Sequence, residues 1–359
     1  MKRIFLFLFL CFCFNSFGIL YAEEINSLYH EYEEEEKRTK HDIRNFGEKN
    51  KILFTLQYNQ LFSTMNEYLY SEDWSHKNSQ LDHVNKYISV ATIGLEFTPF
   101  LFYVQASVGM KASFTVSHKS GKYRMDDYDW TLPNTQNDPL THHSWHTEGK
   151  YKYVNLDLYG KIRFFKIGDT KNFGSFNFYA LLGFRFIESS AIQHGMSYFL
   201  YADSSSNPLA EYYETNNDVD GLKYRQRMWL PYYGLAVEYR ARVLSVILTF
   251  KNSFLNKGTT YDAHYLRDMY SRHTYRSLFN YSLSLNIGCW LTDNFRIFIE
   301  AGMNRTDFKR AEKGRIQQFE TYTNPYNGSN STTEYRQDYK FAAMKNFNYS
   351  FGGGLTIGF

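Results

Sequence analysis

The amino-acid sequence predicts an all-β fold, a ten-stranded antiparallel transmembrane β-barrel of the bacterial outer membrane with long extracellular loops. Three observations lead there. Apolar and polar side chains alternate with period two through much of residues 51–359, the pattern of strands with two unlike faces. Aromatic residues make up 19% of the chain, yet mean hydropathy is only −0.51. A bundle of transmembrane helices would be strongly apolar, and a disordered chain is poor in aromatics. Finally, the most regular alternating segment ends the chain on Phe359, a terminal aromatic that resembles the assembly signal of outer-membrane barrels.

Residues 1–22 read as a secretory signal peptide. Lys2-Arg3 form its positive start, Ile4 to Phe14 its apolar run, Asn15-Ser16 the break, and Ala22 the small residue at the cleavage point. The apolar run is too short for a membrane-spanning helix, which takes about 20 residues. Cys11 and Cys13 fall inside this segment, which leaves Cys289 alone. The mature chain therefore has no intrachain disulfide, and a closed hydrogen-bonded barrel takes over that role. Net charge is +3, and Lys2 and Arg3 supply most of it. The rest is near neutrality, with no basic excess pointing to nucleic acid. Residues 23–50 read as a charged flexible N-terminal extension, with Glu33 to Glu36 followed by Lys37-Arg38.

The barrel follows over 51–359. In its last segment Phe347, Tyr349, Phe351, Gly353, Leu355, Ile357 and Phe359 share one face, and Asn348, Ser350, Gly352, Gly354, Thr356 and Gly358 the other. Elsewhere Val154, Leu156, Leu158, Ile162 and Phe164 alternate with Asn155, Asp157, Tyr159, Lys161 and Arg163. Phe295, Ile297 and Ile299 alternate with Arg296, Phe298 and Glu300. Charged side chains on the non-apolar face of long strands fit a polar lumen with an apolar wall in lipid.

Ten strands are expected, over 51–64, 86–98, 101–117, 150–165, 174–190, 223–240, 243–257, 278–291, 294–307 and 346–359. Short turns alternate with long loops over 65–85, 118–149, 191–222, 258–277 and 308–345. Short turns and both chain ends belong to the periplasmic rim, and long loops to the extracellular one.

Two motifs at strand–loop boundaries on the outer rim carry ionisable pairs at i and i+2: Asp127-Tyr128-Asp129-Trp130 and Asp262-Ala263-His264-Tyr265. In an extended chain such pairs share a face, about 6.5–7 Å apart at Cα. Alone, an Asp-x-Asp is more often a solvated turn or a calcium ligand, and an Asp-x-His is common. His142, His143 and His146 raise a metal reading, without an acid or Cys at a confirming spacing.

Taken together, barrel, loop positions and motifs resemble the omptins, outer-membrane endoproteases of ten-stranded barrel fold, over most of residues 52–359. Asp127-Tyr128-Asp129-Trp130 is similar to the family's aspartate couple with its following Trp, and Asp262-Ala263-His264-Tyr265 to its Asp-x-His-Tyr dyad. Thr141, Ser144 and His146 match a Thr-x-x-Ser-x-His stretch, and Ser79-Gln80-Leu81-Asp82 the end of the first loop. Tyr224-Arg225-Gln226-Arg227 with Pro231-Tyr232 and Gly234 match the sixth strand; Thr274-Tyr275-Arg276-Ser277 and Asn304-Arg305 match near strands eight and nine.

The resemblance implies a mechanism without cofactor or metal. His264 would take a proton from water as general base, and Asp262 would orient the imidazole and stabilise its cation. Asp127 and Asp129, across the cleft, would hold that water and the tetrahedral intermediate, sharing a proton because crowded carboxylates resist double ionisation. Ser144 and His146 would support the site, or form a rim hydrogen-bond network. Glu67 and Thr260 fall where the family carries two acids at the floor of its first subsite. Only Glu67 is charged here, and His142 replaces a further acid, so a basic preference looser than strict dibasic cleavage is implied. Arg227 matches an arginine that clamps lipid A phosphates on the outer wall. The family's fifth-strand Tyr-x-Glu-x-Arg is replaced by Phe184-Arg185-Phe186-Ile187-Glu188, where an unpaired acid would repel phosphate. Either Arg185 substitutes, or the protein depends on a different outer-leaflet lipid. The implied partners are a peptide or protein substrate and an outer-membrane lipid, at the cell surface. A catalytically silent barrel of the same fold, acting as adhesin or binding platform, is the rival reading.

Overall fold

The computed structural model describes residues 50–99, 105–117, 122–130, 140–168, 174–194, 197–200, 211–214, 220–253, 255–265, 268–276, 279–323 and 330–359. The expected signal peptide over 1–22 and all but the last residue of the extension over 23–50 lie outside them.

In chain order the strands are β1 (Ile52–Tyr70), β2 (Lys77–Phe97), β3 (Ala106–Thr115), β4 (Lys122–Trp130), β5 (Leu140–His146), β6 (Gly149–Ile167), β7 (Ser175–His194), β8 (Ser197–Leu200) and β9 (Glu211–Glu214). They continue with β10 (Asp220–Arg240), β11 (Leu244–Ser253), β12 (Lys257–His264), β13 (Met269–Arg276), β14 (Asn280–Trp290), β15 (Phe295–Arg310), β16 (Lys313–Thr323), β17 (Asn330–Asp338) and β18 (Ala342–Gly358). The lower barrel is a closed antiparallel ring of ten: β1, β2, β3, β6, β7, β10, β11, β14, β15, β18 and back to β1. The closing seam pairs Leu53 with Gly358 through Leu69 with Ala342. A Cβ at Gly352 or Gly354 would run into the backbone carbonyls of Tyr58 or Leu56, so the seam requires glycine there. Lys51 N–H donates to the Phe359 carbonyl at 2.9 Å, which puts both ends of the barrel on one rim.

The wall explains why the sequence alternates. Ile93, Leu95, Val108, Met110, Ile162, Leu182, Leu235, Ile299 and Phe351 all point outward and are exposed. Leaving such a side chain in water forgoes about 1.5–3 kcal/mol, so a belt of them belongs in lipid. Phe62 stacks on Tyr349 and meets Tyr87 edge-on at the upper edge of this belt. Inside, charges meet one another. Lys161 Nζ donates to Glu96 at 2.6 Å, Arg296 to Ser245 and Asn286, and Asn286 and Gln57 to Glu300. Lys251 pairs with Asp157. The inward placement expected for Lys161, Arg296 and Glu300 is found, and these networks line the lumen.

The structure corrects the strand ends. β1 runs to Tyr70 and β2 begins at Lys77, while β4, β5, β12, β13, β16 and β17 occupy stretches expected to be loops, including part of 308–345. The cause is a change of phase above the belt. In β2 the even residues Ile88, Val90 and Thr92 face in, but above a bulge at Lys86-Tyr87 the odd residues Leu81, His83 and Asn85 do. Tyr87 takes a left-handed φ of 58° to make that bulge. Inward parity also switches between β6 and β5, β11 and β12, and β14 and β13. The extended strands build two walls, β2–β4–β5–β8–β9 and β10–β12–β13–β16–β17, above the belt.

A barrel closed in this way is expected to stay folded in cold detergent, to migrate differently on a gel after boiling, and to give a strand-dominated circular dichroism spectrum. A helical spectrum, or recovery in the soluble periplasm, would contradict it.

Candidate active site

The two walls each bring one motif to the mouth. On β4 the odd residues Tyr123, Met125 and Asp127 face in; on β12 the even residues Thr260, Asp262 and His264 do. β4 is hydrogen-bonded to β2 and β5, β12 to β10 and β13, so the motifs meet across a cleft rather than along a ladder. His264 Nε2–H donates to Asp262 Oδ2 at 2.7 Å, and His264 Nδ1 lies 3.9 Å from Asp127 Oδ2. That second gap exceeds a hydrogen bond and is one that a water can span. All three side chains are buried.

Asp129 sits one inward step further up β4, half-buried, opposite Ser79 and His142. Ser144 is fully buried directly opposite Asp127 in the β4–β5 ladder, and His146 is buried opposite Met125. His143 points the other way: its Nε2 lies 3.1 Å from Asp126 Oδ1, and its ring stacks on Tyr128. His143 and His146 therefore face opposite sides of β5 and do not share an ion. His142 lies outside the described side chains. Burial alone would raise the Asp126 carboxyl, but hydrogen bonds from Arg124 and His143 hold it below the usual carboxylate range.

Below the dyad lies a second buried acid. Glu67 Oε1 accepts from Thr260 Oγ1 at 2.7 Å, from His273 Nδ1 at 3.0 Å and from Tyr275 O–H at 3.5 Å. Thr260 is thus a donor to Glu67, not merely a missing acid. His273, which sequence reasoning did not single out, has its room from Gly314, its register partner: a Cβ there would stand 2.3 Å from the His273 ring.

A further residue was missed. His83 is completely buried, its ring stacks on Tyr224 at 5.2 Å, and its Nδ1 lies 3.0 Å from Tyr123 O–H. Tyr224 is the register partner of Asp262. Burial pushes the His83 imidazole down to about 3, so it is neutral at ordinary pH.

On the outer wall, Arg227 Nε donates to Glu188 at 2.5 Å. The acid expected to stand unpaired is therefore paired, with the arginine meant for phosphate. Arg185 is not its substitute, because it points into the lumen and donates to Asn304 and Ser282. The parity of β7 decides this, since Arg185 and Glu188 differ by an odd number of residues.

A belted barrel with both ends at one rim and its cleft at the other is an outer-membrane protein whose site faces outside. The Omptin family model matches residues 48–351. Protease 7 of Escherichia coli strain K12 is 26% identical over 296 residues, 80% of this chain and 84% of that protein. Plasminogen activator of Yersinia pestis is 27% identical over 247 residues, 67% of this chain and 72% of that protein. The crystal structure of the outer membrane protease OmpT from Escherichia coli superimposes with a TM-score of 0.70 at 22% identity, over 88% of this chain and 99% of that one. The chain belongs to the omptin family, and is an outer-membrane protease of that family.

Proposed function

We propose that the protein is an endopeptidase that hydrolyses surface peptides or proteins directly with water, favouring cleavage next to basic residues. The observation that carries the reading is the His264–Asp262 hydrogen bond turned towards Asp127. His264 Nδ1 takes a proton from the water, whose oxygen bonds to the peptide carbonyl carbon. Asp262 accepts the Nε2 hydrogen and stabilises the imidazolium. Asp127, with Asp129 beside it, holds the water and the tetrahedral oxyanion by way of a shared proton. The imidazolium then protonates the amine nitrogen as the C–N bond breaks, leaving an amine and a carboxylic acid whose proton passes to the amine or to solvent. Ser144 and His146 support the Asp127 side from β5.

The basic preference rests on Glu67, whose Oε2 receives no donor among the described residues and can meet a Lys or Arg side chain. A lipid contact belongs to the same proposal. Arg227 uses only Nε towards Glu188 and its side chain is 38% exposed, so a phosphate of an outer-leaflet lipid could be met by its remaining N–H groups. The test is to incubate lipid-reconstituted protein with a peptide library and sequence the products. Cleavage with Arg or Lys enriched at P1 is expected. Binding of peptides without any cleavage would instead favour the silent binding platform.

A further inference from the structure

The site holds a complementary pair of buried polar atoms that the hydrolytic scheme leaves unused. Neither His83 Nε2 nor Asp262 Oδ1 has a hydrogen-bond partner, and both are shut off from solvent. Leaving either without a partner is unfavourable, because a buried polar group loses its hydrogen bonds to water. Their chemistry fits together. Tyr123 is held protonated by burial, and among the described residues His83 Nδ1 is the one acceptor its O–H reaches. The phenol therefore donates to Nδ1, which places the imidazole's own hydrogen on Nε2. The orphan on His83 is a donor and the orphan on Asp262 an acceptor. Position agrees: His83 stacks on Tyr224, Tyr224 is the register partner of Asp262, and His83 interacts electrostatically with both Asp262 and His264. No ion pair joins the two groups directly, and a donor and an acceptor are the kind of partners that a buried water takes.

We propose that His83 is a positioning residue: through one water its Nε2–H holds the second oxygen of Asp262, fixing the carboxylate that orients His264. This rests on the hydrolytic reading of the dyad. Asp262 then has one oxygen committed to His264 and the other to His83, so it cannot swing away as the imidazole gains its proton. Losing the His83 donor leaves more negative charge on the oxygen that accepts from His264, and His264 keeps its proton to higher pH. The titratable groups facing this set are Tyr123 and Asp127 from β4, Tyr224 from β10, Asp262 and His264 themselves from β12, and, against Tyr224, Glu67 from β1 and Tyr275 from β13.

The test compares His83→Phe, which keeps an aromatic ring against Tyr224 but has no nitrogen, with His83→Gln, which keeps an N–H donor. In case the orphaned Tyr123 hydroxyl impairs folding, His83→Phe is also made together with Tyr123→Phe. Heat-dependent gel migration checks the fold of each. For the Phe variants kcat is expected to fall about tenfold with KM little changed. The acid limb of the kcat/KM profile should rise by about half to one pH unit, and Gln should restore much of both. Nitrogen NMR of histidine-labelled protein reads the same coupling without substrate: the His264 titration midpoint should rise in the Phe variants and return with Gln. A folded Phe variant with the parent's kcat and the parent's His264 titration would overturn the proposal. So would an equal loss in Phe and Gln with the titration unmoved, which would mean packing alone. If the parent cleaves no peptide, the hydrolytic reading fails by itself, while the NMR titration still decides whether His83 is coupled to the dyad.

Discussion

His264→Ala is expected to lower peptide cleavage by about a thousandfold or more while the barrel remains folded. The imidazole is hydrogen-bonded to Asp262 and is turned towards Asp127, so it is placed to take a proton from water near neutral pH and return it to the leaving amine. Its removal leaves Asp262 Oδ2 without the 2.7 Å donor, a local cost of about 1–3 kcal/mol. None of the backbone ladders that close the ring involves that side chain. Asp262→Asn and Asp127→Asn should lower kcat in the same direction, the first by spoiling the orientation of the imidazole and the second by weakening the hold on the water. The measurement is kcat/KM on one quenched peptide for each folded variant. Parent-like cleavage by His264→Ala would end the general-base assignment.

The second large effect is on substrate choice. Glu67→Gln should lower the preference for Arg over a neutral residue at P1 by about tenfold or more, because a hydrogen bond to a charged group is worth about 1.5–3 kcal/mol. The amide oxygen can still accept from Thr260, His273 and Tyr275, so the pocket should keep its shape. Thr260→Asp should move the same ratio the other way, since it places a second acid where Thr260 Oγ1 now lies 2.7 Å from Glu67 Oε1, and a cationic side chain relieves their repulsion. The kcat/KM ratio for matched peptides with Arg or Gln at P1 reads both changes. A parent that cuts neutral or acidic P1 peptides as readily as Arg ones would remove Glu67 from its assigned role and leave the dyad untouched.

The lower barrel was legible because one rule covers it: an apolar wall and a polar lumen force period two through every strand, down to the alternation of Asn346 and Asn348 with Tyr349 and Phe351. Glu67 was legible only through the family match, because it lies beyond the expected strand end at 64, although β1 in fact carries its inward parity up to it. Asp127, Asp262 and His264 were legible as short motifs, although the sequence gives no sign that strands on opposite walls bring them within reach. His83 was hidden by the bulge at Lys86-Tyr87. Carrying the alternation of Ile93 and Leu95 upward puts His83 on the lipid side, whereas the bulge turns it into the cleft. The cleft-building strands escaped notice for the same cause, because a phase change reads as the end of a strand. Arg185 shows the converse: the sequence reading keeps it as a substitute on the outer wall, although its odd spacing from Glu188 already turns it into the lumen. The Glu67–His273 contact joins residues 206 positions apart and had no local signal at all.

The central claim is that water, not a side chain, attacks the peptide bond. Mass spectrometry of the reaction during turnover in heavy-oxygen water tests it most directly. The account expects the protein's mass to stay unchanged at every time point, no burst of the amine product, and one heavy oxygen in the new carboxylate from the first turnover onward. A fraction of the protein heavier by the acyl half of the substrate, accompanied by such a burst, would contradict it.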